Sequence, residues 1–151
     1  MPETETDPQK IAEAAAKAMY EKDNASRALG IEIVEVGPGT ATLAMTVRED
    51  MVNGHAICHG GLIFTLADSA FAFGCNAYNH VTVASGCEIA FVAPAKLGDR
   101  LTAVCREKIL RGRNGVYDID VSNQDGAPVA YFRGKSRQIK GQIVPGLTAK
   151  N

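Results

Sequence analysis

Between Met51 and Cys87 the chain is almost without charge: of these 37 residues only Asp68 is an Asp, Glu, Lys or Arg. The sequence also lacks any apolar run of the roughly 18 to 20 residues that a membrane helix needs. Its first residues, Met1-Pro2-Glu3-Thr4-Glu5, are acidic where a secretory signal would be basic and then apolar. Both absences imply a cytoplasmic protein. The four cysteines, Cys58, Cys75, Cys87 and Cys105, form no CxxC pair and sit in apolar surroundings, which argues against disulfides and a metal cage. No zinc-ligand spacing, Walker loop or dinucleotide fingerprint occurs, so no metal or cofactor is expected. Repeats and low-complexity segments are also missing.

What is present fits one domain spanning residues 1–151, since 151 residues with 46% hydrophobic content can bury a real core. Residues 1–7 and 142–151 read as loose ends. Asp7 followed by Pro8 is an N-cap with proline at the first helical position, and Ile11, Ala15, Ala18, Met19 and Lys22 recur at helical spacing. This helix should end near Glu21, with a short second turn before Gly30. From Ile31 the period becomes two: Ile31 and Ile33, then Leu43, Met45 and Val47, flank the turn Gly37-Pro38-Gly39, which predicts a hairpin. Four further strands are expected at Val81–Val92, Arg100–Leu110, Gly115–Ser122 and Pro128–Ile139. Their short connections favour a meander of antiparallel neighbours.

The stretch after His59-Gly60-Gly61 is apolar on nearly every face, with Leu62, Ile63, Phe64, Leu66, Ala67, Ala70, Phe71 and Phe73. A helix of that kind must be surrounded by other elements. A curved antiparallel sheet wrapped around a long central helix satisfies this. The order of elements is that of an α+β hotdog fold.

A lone acid in such a segment calls for a reason, because a carboxylate is rarely buried unless it is paired or reactive. A helix N-terminus presents unpaired N–H groups, and glycine lets a ligand approach them, so Gly60 or Gly61 can form an oxyanion hole. The same glycines would also serve a tight loop. Asp68 lies eight residues beyond Gly60, about 12 Å along an α-helix, so one chain cannot bring both to one carbonyl. If both serve one substrate, the acid comes from a partner subunit. The bland role for Asp68 is a cap or an interface ion pair. His59 is read as holding the loop and orienting the glycine amides, Asn53 as positioning the thioester or a water, and His55 as an exposed loop residue. Cys58 beside His59 has the ingredients of a reactive thiolate, but adjacent residues of an extended segment point apart.

Residues 1–50 carry ten acids and five bases, residues 96–140 five acids and ten bases. Arg133, Lys135 and Arg137 share one strand face, and Arg106, Lys108, Arg111 and Arg113 lie on or just after a neighbouring strand. Together they can hold the phosphates of a nucleotide-bearing thioester such as coenzyme A, although singly each reads as an ordinary solvated residue. An RNA-binding sheet would want more aromatic residues nearby than Tyr131 and Phe132.

The run Asn53–Asn76, with its HGG and LADSAFAFGCN, together with IAFVAPAKLGDRL, GVYDIDVSNQDG and VAYFRGKS, closely resembles the hotdog-fold acyl-CoA thioesterases of the phenylacetic acid degradation (PaaI) type. The match runs from about Gly30 to Ile139. It implies hydrolysis of an aryl- or arylacetyl-CoA, such as phenylacetyl-CoA and its hydroxylated derivatives, to the free acid and coenzyme A. Coenzyme A is then part of the substrate, and no metal or other cofactor is implied. The resemblance further implies a homotetramer, a dimer of dimers with active sites at the subunit interface, and no nucleic-acid or membrane partner. By position, Asp68 is the nucleophile or general base, Gly60 the oxyanion donor, and Asn53 and His59 the supporting polar residues. Ser85 matches a position where related thioesterases carry a hydroxyl that helps place the water. The alternative is a non-catalytic acyl-CoA-binding or sensing module; a hydratase would want a histidine inside the helix, and none is there.

Overall fold

The Asp7 side chain accepts the Gln9 N–H at 2.8 Å and Pro8 takes the first helical position, where its missing N–H is no loss. The computed structural model describes residues 4–149. Helix α1 (Pro8–Lys22) buries Ile11, Ala12, Ala15 and Ala16, and the short α2 (Asn24–Ala28) follows with Asp23 as its cap. Strand β1 (Thr4–Thr6) precedes α1. After α2 come β2 (Glu32–Gly37) and β3 (Thr40–Thr46), then α3 (Gly60–Cys75). The remaining strands are β4 (His80–Phe91), β5 (Arg100–Arg111), β6 (Asn114–Ser122), β7 (Pro128–Gln142) and β8 (Leu147–Ala149).

Six strands form one antiparallel sheet in the order β2-β3-β5-β6-β7-β4. The expected antiparallel pairing is found, but the meander is not complete: β4 lies beside β7 at the far edge, and β5 beside β3. The segment from Val92 to Asp99 makes the crossing. It is anchored on the way by Cys58 N–H to Ala95 O (2.8 Å), Gly98 N–H to Val47 O (2.9 Å) and Val47 N–H to Asp99 O (2.8 Å). Alternating sequence identifies a strand without naming its neighbour, so the sheet order could not be read from it.

The sheet curves around α3. Ile63, Leu66, Ala67, Ala70, Phe71 and Phe73 are buried against Leu43, Met45, Leu101, Ile119 and Phe132, and each fully buried Leu or Phe contributes about 1.5–3 kcal/mol. β7 comes so close that a Cβ on Gly134 would lie 2.7 Å from the Phe71 ring, so only glycine fits. The helix is not enclosed on all sides, however. Gly61 is exposed, and Leu62, Phe64, Thr65, Asp68 and Ala72 are only half-buried, which leaves one long face uncovered in the single chain. Strand β4, beside that face, pairs among the described residues only with β7, which leaves its other edge free there.

Two stretches expected to be loose are structured: β1 and β8 pair in parallel. Asn79 holds the returning tail, its amide donating to Val144 O and Leu147 O at 2.8 Å while its Oδ1 accepts the Val144 N–H at 2.7 Å. The outermost residues of those stretches, 1–3 and 150–151, lie outside the described residues. Among the described residues, no helix is long and apolar enough to cross a membrane, and no group of His, Cys, Asp and Glu could hold a metal ion.

Candidate active site

The start of α3 is set by its cap. His59 is the N-cap residue, with φ −59° and ψ 130°, and its Nδ1 accepts the Gly61 N–H at 2.9 Å. That bond needs an imidazole unprotonated at Nδ1, so His59 works as a holding residue, and it occupies one of the two glycine amides. The other is free: the Gly60 N–H has no acceptor among the described residues. Of the two glycine amides it is thus that of Gly60, at the positive end of the helix, that is left unoccupied. His59 is itself held by its N–H to Met51 O at 2.8 Å.

Asn53 shapes the preceding loop. Its Oδ1 accepts the N–H groups of His55 (2.9 Å) and Ile57 (3.4 Å), and Ala56 takes a left-handed φ of 60° within that turn. The Asn53 carbonyl oxygen is thus committed to the loop, while its amide nitrogen has no partner among the described residues. Asn53, Ile57, Gly60, Ile63, Phe91 and Pro94 line an open hollow of about 440 Å³. Phe91, from the end of β4, lays its ring beside Gly60, where an added Cβ would meet it at 3.2 Å. No local pattern singles out Phe91; the curl of β4 over the helix start brings it there. His55 is exposed, as expected.

Asp68 sits at mid-helix, half-buried, with no hydrogen bond or ion pair among the described residues. Burial raises its carboxyl above the ordinary aspartate value. Its charge is felt by Cys75 on the helix and by Cys87 on β4, which places it on the uncovered face beside the free edge. Ser85 occupies a bulge of β4 two residues before Cys87, and its hydroxyl donates to Lys135 O at 3.2 Å. The structure therefore gathers Asn53, His59 and Gly60 at the helix start and leaves Asp68 and Ser85 midway along it.

The thiolate reading of Cys58 fails. Its side chain is buried, and burial pushes the thiol above its usual range.

Arg133, Lys135 and Arg137 line one face of β7, as the alternation predicts. Arg133 is already spent: its Nε and Nη2 grip both oxygens of Asp118 at 2.7 and 3.0 Å, and Tyr131 donates to the same carboxylate at 2.8 Å. Arg137 reaches Asn114 Oδ1 at 3.1 Å, and Asn114 pairs across the sheet with Arg111. Lys135 is exposed. Arg113 stands apart from them, at a cavity under the β5–β6 turn.

A helix-start amide with no acceptor and a desolvated acid with no partner among the described residues sit on a hotdog frame, and the class this frame belongs to is the thioesterases. The comparisons agree. Residues 55–130 match the family model for the thioesterase superfamily. The chain is 48% identical to the acyl-coenzyme A thioesterase PaaI of Escherichia coli K12 over 85% of its own length and 91% of that relative. The solved structure of the E. coli PaaI protein from the phenylacetic acid degradation operon superposes with a TM-score of 0.88 at 46% identity, covering 89% of this chain and 97% of that one. A hypothetical thioesterase protein from Streptococcus pneumoniae TIGR4, solved with coenzyme A, gives a TM-score of 0.70 at 25% identity, covering 74% of this chain and 90% of that one. The chain belongs to the thioesterase superfamily, in its hotdog-fold PaaI branch.

Proposed function

We propose that the protein hydrolyses aryl- and arylacetyl-CoA thioesters, phenylacetyl-CoA and its hydroxylated derivatives among them, to the free acid and coenzyme A. The whole chain acts as one thioesterase domain, in the cytoplasm, as a homotetramer built from two dimers, with coenzyme A entering only as part of the substrate and with no metal. The observation that carries the reading is the pair on α3: a free Gly60 N–H and an unpartnered, half-buried Asp68, about 12 Å apart along one helix. Neither completes a site in its own chain. The uncovered helix face and the free edge of β4 supply a surface on which a second copy can bring its Gly60 to this Asp68.

In that site the thioester oxygen lies against the partner's Gly60 N–H, with the positive end of the partner's helix behind it. Ionised Asp68 supplies the electron pair, either to the carbonyl carbon directly or by taking a proton from water. In the general-base route the water oxygen bonds the carbonyl carbon, the carbon–sulfur bond breaks, and the proton taken up by Asp68 passes to the departing thiolate. In the direct route the acyl group is left on Asp68 as an anhydride and the thiolate takes its proton from solvent. Water then hydrolyses the anhydride to the free acid and restores the carboxylate. His59 keeps the second glycine amide occupied and the first correctly aimed. The free Asn53 amide nitrogen and the Ser85 hydroxyl on β4 are the polar groups available to place the thioester and the water. The exposed Lys135, Arg111 and Arg137 are the better candidates for the phosphates of coenzyme A, because Arg133 is neutralised by Asp118 and Arg113 stands apart at the cavity under the β5–β6 turn.

The names of the E. coli relative and of the coenzyme A complex from S. pneumoniae support the acyl-CoA assignment. A thiol-release assay over a panel of acyl-CoAs tests it: the expected result is release of coenzyme A with preference for aryl acyl groups. Tight binding of acyl-CoA without release would make the protein a sensing module instead. Single-turnover hydrolysis in oxygen-18 water separates the two roles of Asp68, since label enters its carboxylate only if it attacks directly.

A further inference from the structure

At the end of α3 away from Gly60, the helix, β4, β6, β7 and the β5–β6 turn enclose a second cavity, of about 250 Å³. A cavity of about 150 Å³ suffices for benzene, so this one has room for a ring with two substituents and none for a nucleotide. Leu110 and Cys75 give it apolar wall, and polar groups are set among them.

The polar groups are of two kinds. Tyr117, like Tyr78, is already used: both phenols donate to Glu107 Oε1, at 3.2 and 2.8 Å. Ser136 is not used. The residue is only 3% exposed, its hydroxyl has no partner among the described residues, and it lines the cavity. Among the described residues no fully buried side-chain nitrogen or oxygen lacks a hydrogen-bond partner, so this hydroxyl is not sealed off: it opens into the cavity and can take a partner there. Space beside it is kept by Gly115, where an added Cβ would come within 2.7 Å of Ser136 Oγ. On the outer side, the Arg113 guanidinium and the His80 and Gln138 side chains also lack partners among the described residues.

We propose that this cavity binds a small aryl carboxylate carrying a ring hydroxyl. The carboxylate meets Arg113 at the exposed turn, the ring lies between Leu110 and Cys75, and the hydroxyl bonds to Ser136. This chemistry is that of the free acids the proposed hydrolysis would release; only the choice of acid rests on that reading.

Calorimetric titration of the full-length protein with 4-hydroxyphenylacetate and phenylacetate tests the site. Both acids should bind, the hydroxylated one more tightly. Arg113→Gln, on an exposed turn, should weaken both by tenfold or more, and Ser136→Ala should weaken only the hydroxylated acid, about fivefold. No binding of either acid overturns the proposal, as does wild-type affinity in both variants, which would seat the acid elsewhere. Thiol release is a separate readout: a wild-type protein that bound the acid but released no coenzyme A would keep this site and lose the thioesterase reading.

Discussion

Two aspartates on opposite sides of the sheet show what environment does to one side chain. Asp118, on the outer face, has both oxygens bonded to Arg133 and a third bond from Tyr131, and these hold its carboxyl below the ordinary value. Asp68, on the uncovered face of α3, has no such partner, and burial moves it the other way. Asp118 is a finished interaction. Asp68 has no stabilising partner among the described residues and stays available to a substrate or to a second subunit.

The largest effect that would sharpen this contrast is on turnover. Asp68→Asn should reduce kcat by a factor of about 10³ or more while leaving the fold intact, because it removes the electron pair and little packing. Asp118→Asn should leave kcat within about twofold. Steady-state thiol release on both variants checks this, and comparable losses in the two would erase the distinction.

Next comes the oxyanion donor. Gly60 is the first residue of α3, the one helical position that favours proline, and His59 before it has the extended backbone that proline requires. Gly60→Pro therefore deletes the N–H while keeping the helix, and the exposed Phe91 ring, which an added Cβ would meet at 3.2 Å, has to move aside. The expected loss is about 10²- to 10³-fold in kcat with little change in KM.

The pH dependences should have opposite signs. Asp68 must be ionised to act, so kcat/KM should fall as pH drops through its raised pKa, at a pH above the ordinary aspartate value near 3.8. Its ionisation also opposes folding, so that penalty is relieved as pH falls through the same value. Asp118, with a lowered pKa, adds stability that is present above its unfolded value and is lost as pH falls through the folded one. Thermal melts from pH 3 to 8 of wild type, Asp68→Asn and Asp118→Asn separate the two. The smallest effect belongs to Asp118→Asn at neutral pH, a loss of about 1 kcal/mol or less, since the pair is partly solvent-screened.

How much of this was legible in the sequence follows from range. The isolation of Asp68, the helix start at His59-Gly60-Gly61 and the strand pattern are local signals, and all three are found in the structure. The pairing of β4 with β7 depends on a crossing by the segment after Val92, which no local pattern encodes. The neutralisation of Arg133 by Asp118, fifteen residues earlier, needs the register of β6 on β7. Phe91 and the Ser136 cavity appear only once strands distant in sequence close over the two ends of α3. Uniform apolarity made α3 read as enclosed on every side; the face left open is the one that carries Asp68.

The central claim is that each site takes its acid from one chain and its oxyanion donor from another. Mixing Asp68→Asn with Gly60→Pro subunits, after dissociation and reassembly, tests it directly. With random pairing half the dimers are mixed, and each mixed dimer holds one intact site of two, so about a quarter of wild-type turnover should return. If both residues serve from one chain, no mixture contains an intact site, and turnover would stay at the level of the two separate variants.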